Sequence, residues 1–314
     1  MKKTFTTALA ATAIFGITAC SGGSAAGTKL IPEQATVLIG IDIGGLTKTS
    51  LYADNKAMLD QAGDAKEMME AAKGCNIELE KMGSLLIGTD AAEPKPNVTV
   101  VFTGEGVGDE KNLTCIAEKA KEKSGKVPFT IADEGGRKVL KMDDDDGIGY
   151  IVDAKTVVIA TKAWAGPTKD LIEGKGKSAA DGPNKDLFAR ADQKKHIWFA
   201  GLIPAAAAGQ LKGSPAEGVK DFSGSLDLSN GVAVTLAAGV ESADKAKELK
   251  DMAEKQYAMV KGMSALIGVP ASVADSVKFD TSGNAISVSA SATPDDIKAI
   301  KEGAGKMMGM GMGM

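Results

Sequence analysis

Hydrophobic positions along the chain change period repeatedly, and those changes divide it into elements. Ala35–Ile43 is a nearly continuous apolar run, which predicts a strand. A helical region follows from about Leu46 to Met82, broken near Asp60–Asp64 and at Gly74. Ser84–Gly88 and Asn97–Thr103 read as strands, the second alternating through Val98, Val100 and Phe102. Asp109 opens an amphipathic helix with Leu113, Ile116, Ala117 and Ala120 on one face. Phe129–Ala132, Lys138–Met142 and Tyr150–Thr161 are short strand segments separated by Gly-Gly and Asp-Gly turns, and a short helix from Pro167 closes this half at Ile172.

The second half repeats the theme in shorter form. Ile197–Leu202 is an apolar strand, and Ser225–Leu228 and Val232–Ala238 flank the hairpin signal Asn230-Gly231. Ser242 caps a helix running to about Met263. Val277–Phe279 and Ala285–Ala290 form a further hairpin, and Thr293 with Pro294 starts the last helix. Strand, helix, two strands, helix, two strands, short helix describes both halves, which predicts an internal duplication. The expected fold is α+β: two tandem modules, 30–172 and 191–304, each an antiparallel sheet with helices on one face. Residues 173–190 read as a linker and 305–314 as a Met/Gly-rich tail.

The N-terminus adds an address. Lys2 and Lys3 precede an apolar stretch, Ala8–Ile17, too short to span a bilayer. Ile17-Thr18-Ala19-Cys20 then resembles the lipobox of bacterial lipoprotein signals. That resemblance implies a signal peptide over 1–19, cleavage before Cys20 and a diacylglyceryl group on its thiol, anchoring the protein to a membrane. Ser21 stands where an inner-membrane retention signal would place Asp, so enterobacterial sorting implies the outer membrane, facing periplasm or surface. Residues 20–29 have the composition of a flexible tether.

Cleavage would remove two lysines and no acids, taking the formal charge from −4 to −6. The lysines are interleaved with acids, so no basic footprint for nucleic acid forms. Cys75 and Cys115 remain in an oxidising compartment, making a disulfide the expected alternative to two separate thiols.

Several motifs suggest chemistry. Gly40–Thr49 resembles the phosphate-binding opening of hexokinase-like sugar kinases, but Leu46 interrupts it and a helix follows, so a Gly-Gly turn is the reading adopted. Gly104–Asp109 has the glycines of a dinucleotide loop with the third misplaced, and reads as a turn into a helix. Asp143–Asp146, with Asp143 and Asp145 as candidate calcium ligands, lacks the closing Glu of a calcium loop. The five methionines at the C-terminus, with Met308, Met310 and Met312 as candidates, are soft ligands suited to Cu(I). His196 is the single histidine, which excludes His-rich zinc sites. No cofactor is expected.

As a whole the chain resembles the uncharacterised envelope lipoproteins of myxobacteria: lipobox, short tether, then strand–helix modules opening as Ile31-Pro32-Glu33-Gln34-Ala35 before an Ile-Gly-Ile-Asp strand. The resemblance implies no known activity. The expected role is that of a lipid-anchored, non-enzymatic protein that binds an envelope protein or ligand or serves a structural role. Metal handling, of copper or calcium, is the alternative, and an enzyme the third reading.

Overall fold

The structure, a computed structural model, describes residues 24–59, 63–143, 146–264 and 268–311. A 3-10 helix, Ser24–Leu30, comes first. Next are β1 (Val37–Asp42), α1 (Ile43–Leu46), α2 (Ser50–Leu59), α3 (Gly63–Gly74), β2 (Met82–Thr89), β3 (Val98–Gly104) and α4 (Glu110–Ser124). Two hairpins follow: β4 (Phe129–Glu134) with β5 (Arg137–Met142), and β6 (Gly147–Asp153) with β7 (Thr156–Thr161). Helices α5 (Lys162–Ile172) and α6 (Lys185–Phe188) complete this part. The remainder comprises β8 (Ile197–Leu202), α7 (Ala205–Gln210), β9 (Asp221–Asp227), β10 (Val232–Gly239), α8 (Ala243–Lys261), α9 (Ala271–Ser276), β11 (Lys278–Ser282), β12 (Ala285–Ala292) and α10 (Pro294–Gly311). Among the described residues no helix is long and apolar enough to cross a membrane.

The α+β class holds, and every strand pairing is antiparallel. Two particulars differ from expectation. Among the described residues, all twelve strands belong to one sheet, ordered β11-β12-β10-β9-β8-β1-β2-β3-β7-β6-β5-β4. The halves therefore do not build separate sheets: β1 pairs with β8 from Val37↔Gly201 to Ile41↔Ile197. Both strands are apolar on two faces and have no edge to leave exposed, so pairing them satisfies their backbone groups. Outward from this joint, one flank runs β1-β2-β3-β7-β6 and the other β8-β9-β10-β12-β11, with β5 and β4 extending the first.

Helices also cover both faces instead of one. Alternate residues of β7 separate into two clusters. Val158 and Ala160 join Leu38, Leu86, Val101, Trp198 and Ala200 beneath Trp164 of α5. Val157 and Ile159 turn the other way, to Leu113 of α4 and Phe102. Period-2 alternation makes these opposite faces of the sheet. Each fully buried aliphatic on the first face contributes about 1.5–3 kcal/mol.

Two segments read as flexible are built into that first cluster. Residues 173–190 contribute Ala179, Leu187 and Phe188, all buried, and the Arg190 guanidinium pairs with the Asp221 carboxylate on β9. Within the predicted tether, the 3-10 helix lies on β2. A Cβ on Gly27 would stand 3.1 Å from Leu86 Cδ2, so glycine here serves close approach, not looseness. Residues 1–23, with the signal peptide and Cys20, lie outside the described residues.

Candidate functional site

The kinase-like loop closes on itself. Asp42 caps α1, its Oδ1 accepting from the Gly45 N–H at 2.9 Å. A Cβ on Gly45 would meet Asp42 Oδ2 at 2.2 Å, and one on Gly44 the Met82 carbonyl oxygen at 2.5 Å. The glycines make room for a carboxylate and a neighbouring strand, and the chain continues into α2 without a phosphate-cradling hairpin.

Gly104–Asp109 is likewise consumed locally. The N–H groups of Gly104, Glu105 and Gly108 donate to the carbonyls of Lys155, Lys81 and Ala154 at 2.9, 3.1 and 3.1 Å. Asp109 accepts from Lys111 N and Asn112 N, placing a negative charge at the N-terminus of α4. An incoming pyrophosphate would find these donors taken and the charge repulsive.

Cys75, at the end of α3, is disulfide-bonded to Cys115 on α4, with Cα atoms 5.6 Å apart. Asp143 donates its N–H to the Pro128 carbonyl, and Asp146 pairs with Lys95 at 2.9 Å. Asp144 and Asp145 lie outside the described residues, as does Met312; Met308 and Met310 fall on α10. Among the described residues no three His, Cys, Asp or Glu side chains gather as metal ligands.

A polar cluster joins β8 to the β9–β10 hairpin. Asp227 accepts from Lys195 Nζ at 2.7 Å, Ser229 N at 2.9 Å and Ser229 Oγ at 2.6 Å. These donors, Lys195 foremost, hold its carboxyl well below the usual carboxylate range, although partial burial opposes them. The same contact raises the Lys195 ammonium above its ordinary value. His196 Nδ1 accepts from Leu228 N at 3.0 Å and lies 3.4 Å from Asp227 Oδ1. Serine, histidine and aspartate thus meet, but Ser229 donates to Asp227, and His196 Nδ1 is already accepting a backbone proton. The arrangement pins a turn; it does not assemble a nucleophile and its base. Of these residues the sequence singles out only His196, as the lone histidine; Lys195, Asp227 and Ser229 carry no signal of their own. The β8–β9 register, which sets Ile197 opposite Leu226, is what brings Asp227 beside His196, and no local signal marks that pairing.

Two open clefts stand out among the described residues. One, about 750 Å³, lies between the residues after α7 and the first turns of α8, with Lys212, Lys220, Glu217, Glu241 and Met252 in its wall. The other, about 720 Å³, opens at the N-terminus of α4 and includes Arg137, Lys138 and Asp153. Lys138 is paired there with Glu110 and Asp133. Charge is balanced in both, so neither selects a strongly anionic or cationic ligand.

The second sheet face is covered less completely than the first. Phe199, Ile39, Ile87, Val100 and Ile159 stand in register across five neighbouring strands, each only half-buried. Their counterparts on the other face, Trp198, Leu38, Leu86, Val101 and Val158, are at most 1% exposed.

No protein-family model matches the chain, and no curated protein matches it. Among solved structures it is similar to TP0453 in crystal form III, with TM-score 0.52 and 8% sequence identity over 87% of this chain and 96% of that one. Crystal forms IV and I of TP0453 give TM-scores of 0.49 and 0.47 at 8% and 6% identity. At such identity the likeness is one of fold.

Proposed function

We propose that this chain is an exported protein of the cell envelope, held at a membrane through lipid on Cys20, and that it acts by binding or as a structural component without catalysis. The observation that carries the reading is the Cys75–Cys115 disulfide. Such bridges persist in oxidising compartments and are rare in the cytosol. The lipobox at Ile17–Cys20 independently names the same destination.

The binding role draws support from the sheet. Its second face presents a row of half-buried aliphatic and aromatic side chains, from Phe199 to Ile159, which suits an apolar element of a partner. The polar clusters, by contrast, spend their donors and acceptors on the fold itself.

Metabolic labelling with a fatty acid tests the anchor. The wild-type chain takes up label and is processed, whereas Cys20→Ala remains an unlabelled precursor. Label retained by the variant overturns the assignment.

A further inference from the structure

The 3-10 helix at Ser24–Leu30 changes what the anchor does. A free tether from Cys20 to Leu30 would reach about 35 Å, enough to let the folded part turn in any direction. Between Cys20 and the start of this helix at Ser24 stand only Ser21, Gly22 and Gly23, so the Cys20-to-Ser24 span is at most about 14 Å.

Where Ser24 lies follows from the packing of the residues after it. Gly27 lies against Leu86 and Val101, and Ile31 against Gly88, so the chain travels along β2 toward Thr89. Thr36 N then donates to the Thr89 carbonyl before β1 turns back. Extended backwards at about 2 Å per residue, the same path puts Ser24 near Ser84 and Thr103, at the opposite end of β2 and β3. Ser84 and Thr103 are joined there at 3.0 Å between their hydroxyl oxygens. Gly104, Glu105 and the β6–β7 turn at Asp153–Lys155 complete that end. The other end, Thr89–Asn97, is about 20 Å away along the strands.

We infer that the end of the sheet carrying Ser84, Thr103 and Glu105 faces the lipid surface, with the Thr89–Asn97 end directed away from it. The inference rests on lipid attachment at Cys20, as proposed above. The short link fixes orientation as well as location, leaving the far loop directed away from the membrane and open to partners.

The test uses the full-length acylated protein in phosphatidylcholine vesicles containing lipids with a nitroxide on the headgroup, which quench a fluorophore only at near contact. A bimane label is placed through Glu105→Cys or through Ala92→Cys, both exposed positions. Loss of most emission at 105 and little at 92 is expected. A Gly/Ser spacer of about twenty residues between Gly23 and Ser24 should abolish the difference. Equal quenching without the spacer, or stronger quenching at 92, overturns the orientation while leaving the anchor intact. Failure of the acylated protein to float with the vesicles overturns the anchor and the orientation with it.

Discussion

Ile39 of β1 stands opposite Phe199 of β8, in the antiparallel pair that makes one sheet of the two halves. Five residue pairs span this joint. On the reverse face, Trp198 and Leu38 belong to the same buried cluster as Ala179 and Phe188 from the connecting segment. Opening the joint would expose apolar side chains of both halves at once.

The two halves should therefore unfold together. Calorimetry is expected to show one transition, with coincident loss of signal from probes placed in β3 and in β10. Phe199→Ala should lower the stability of both probes by about 2 kcal/mol, less than a fully buried phenylalanine because Phe199 is half-buried. Two separate transitions, only one of them shifted, would contradict a shared core.

Reduction of Cys75–Cys115 releases a loop of sequence separation 40. The chain-entropy relation assigns such a loop about 4 kcal/mol. Denaturant titration of the wild type with and without reductant, beside the Cys75→Ala/Cys115→Ala double variant, checks this. The reduced wild type and the double variant should agree, and a loss below about 1 kcal/mol would show that the bridge constrains little.

The docking of the N-terminal 3-10 helix depends on a missing side chain. A Cβ on Gly88 would meet Ile31 Cγ2 at 2.3 Å, well inside van der Waals contact. Gly88→Ala should cost about 1–3 kcal/mol and speed proteolysis within Ser24–Ile31 relative to the wild type. Unchanged protection there would mean that Ile31 relaxes away without releasing the helix.

Asp227 gives the fold an acid limb. Its folded carboxyl is depressed chiefly by Lys195, so the stabilisation is fully present above the unfolded value near 4 and is lost as pH falls toward the folded one. Asp227→Asn should be less stable than wild type at neutral pH and show a shallower decline below about pH 4. Parallel curves for the two proteins would remove Asp227 from the acid response.

Periodicity and turn chemistry made most strands legible. Asn230-Gly231 marks the β9–β10 hairpin, where Gly231 has φ +92° and a Cβ would meet the Ala292 carbonyl at 2.1 Å. Composition misled where small residues serve contact. Gly27 reads as linker but permits approach to Leu86, and the Gly- and Lys-rich stretch from Glu173 hides Ala179, Leu187 and Phe188, which fill the core. The joint was illegible for a different reason: nothing local in β1 or β8 names its partner, and both being apolar on two faces says only that each is central. The polar cluster at Asp227 depends on a second pairing that nothing local names, that of β8 with β9.

The mass of the mature N-terminal peptide, from protein isolated from its native host, tests the central claim most directly. The account predicts a peptide beginning at Cys20 with its sulfur carrying diacylglycerol and its amine acylated. A mature chain starting elsewhere, or a free thiol at Cys20, would contradict it.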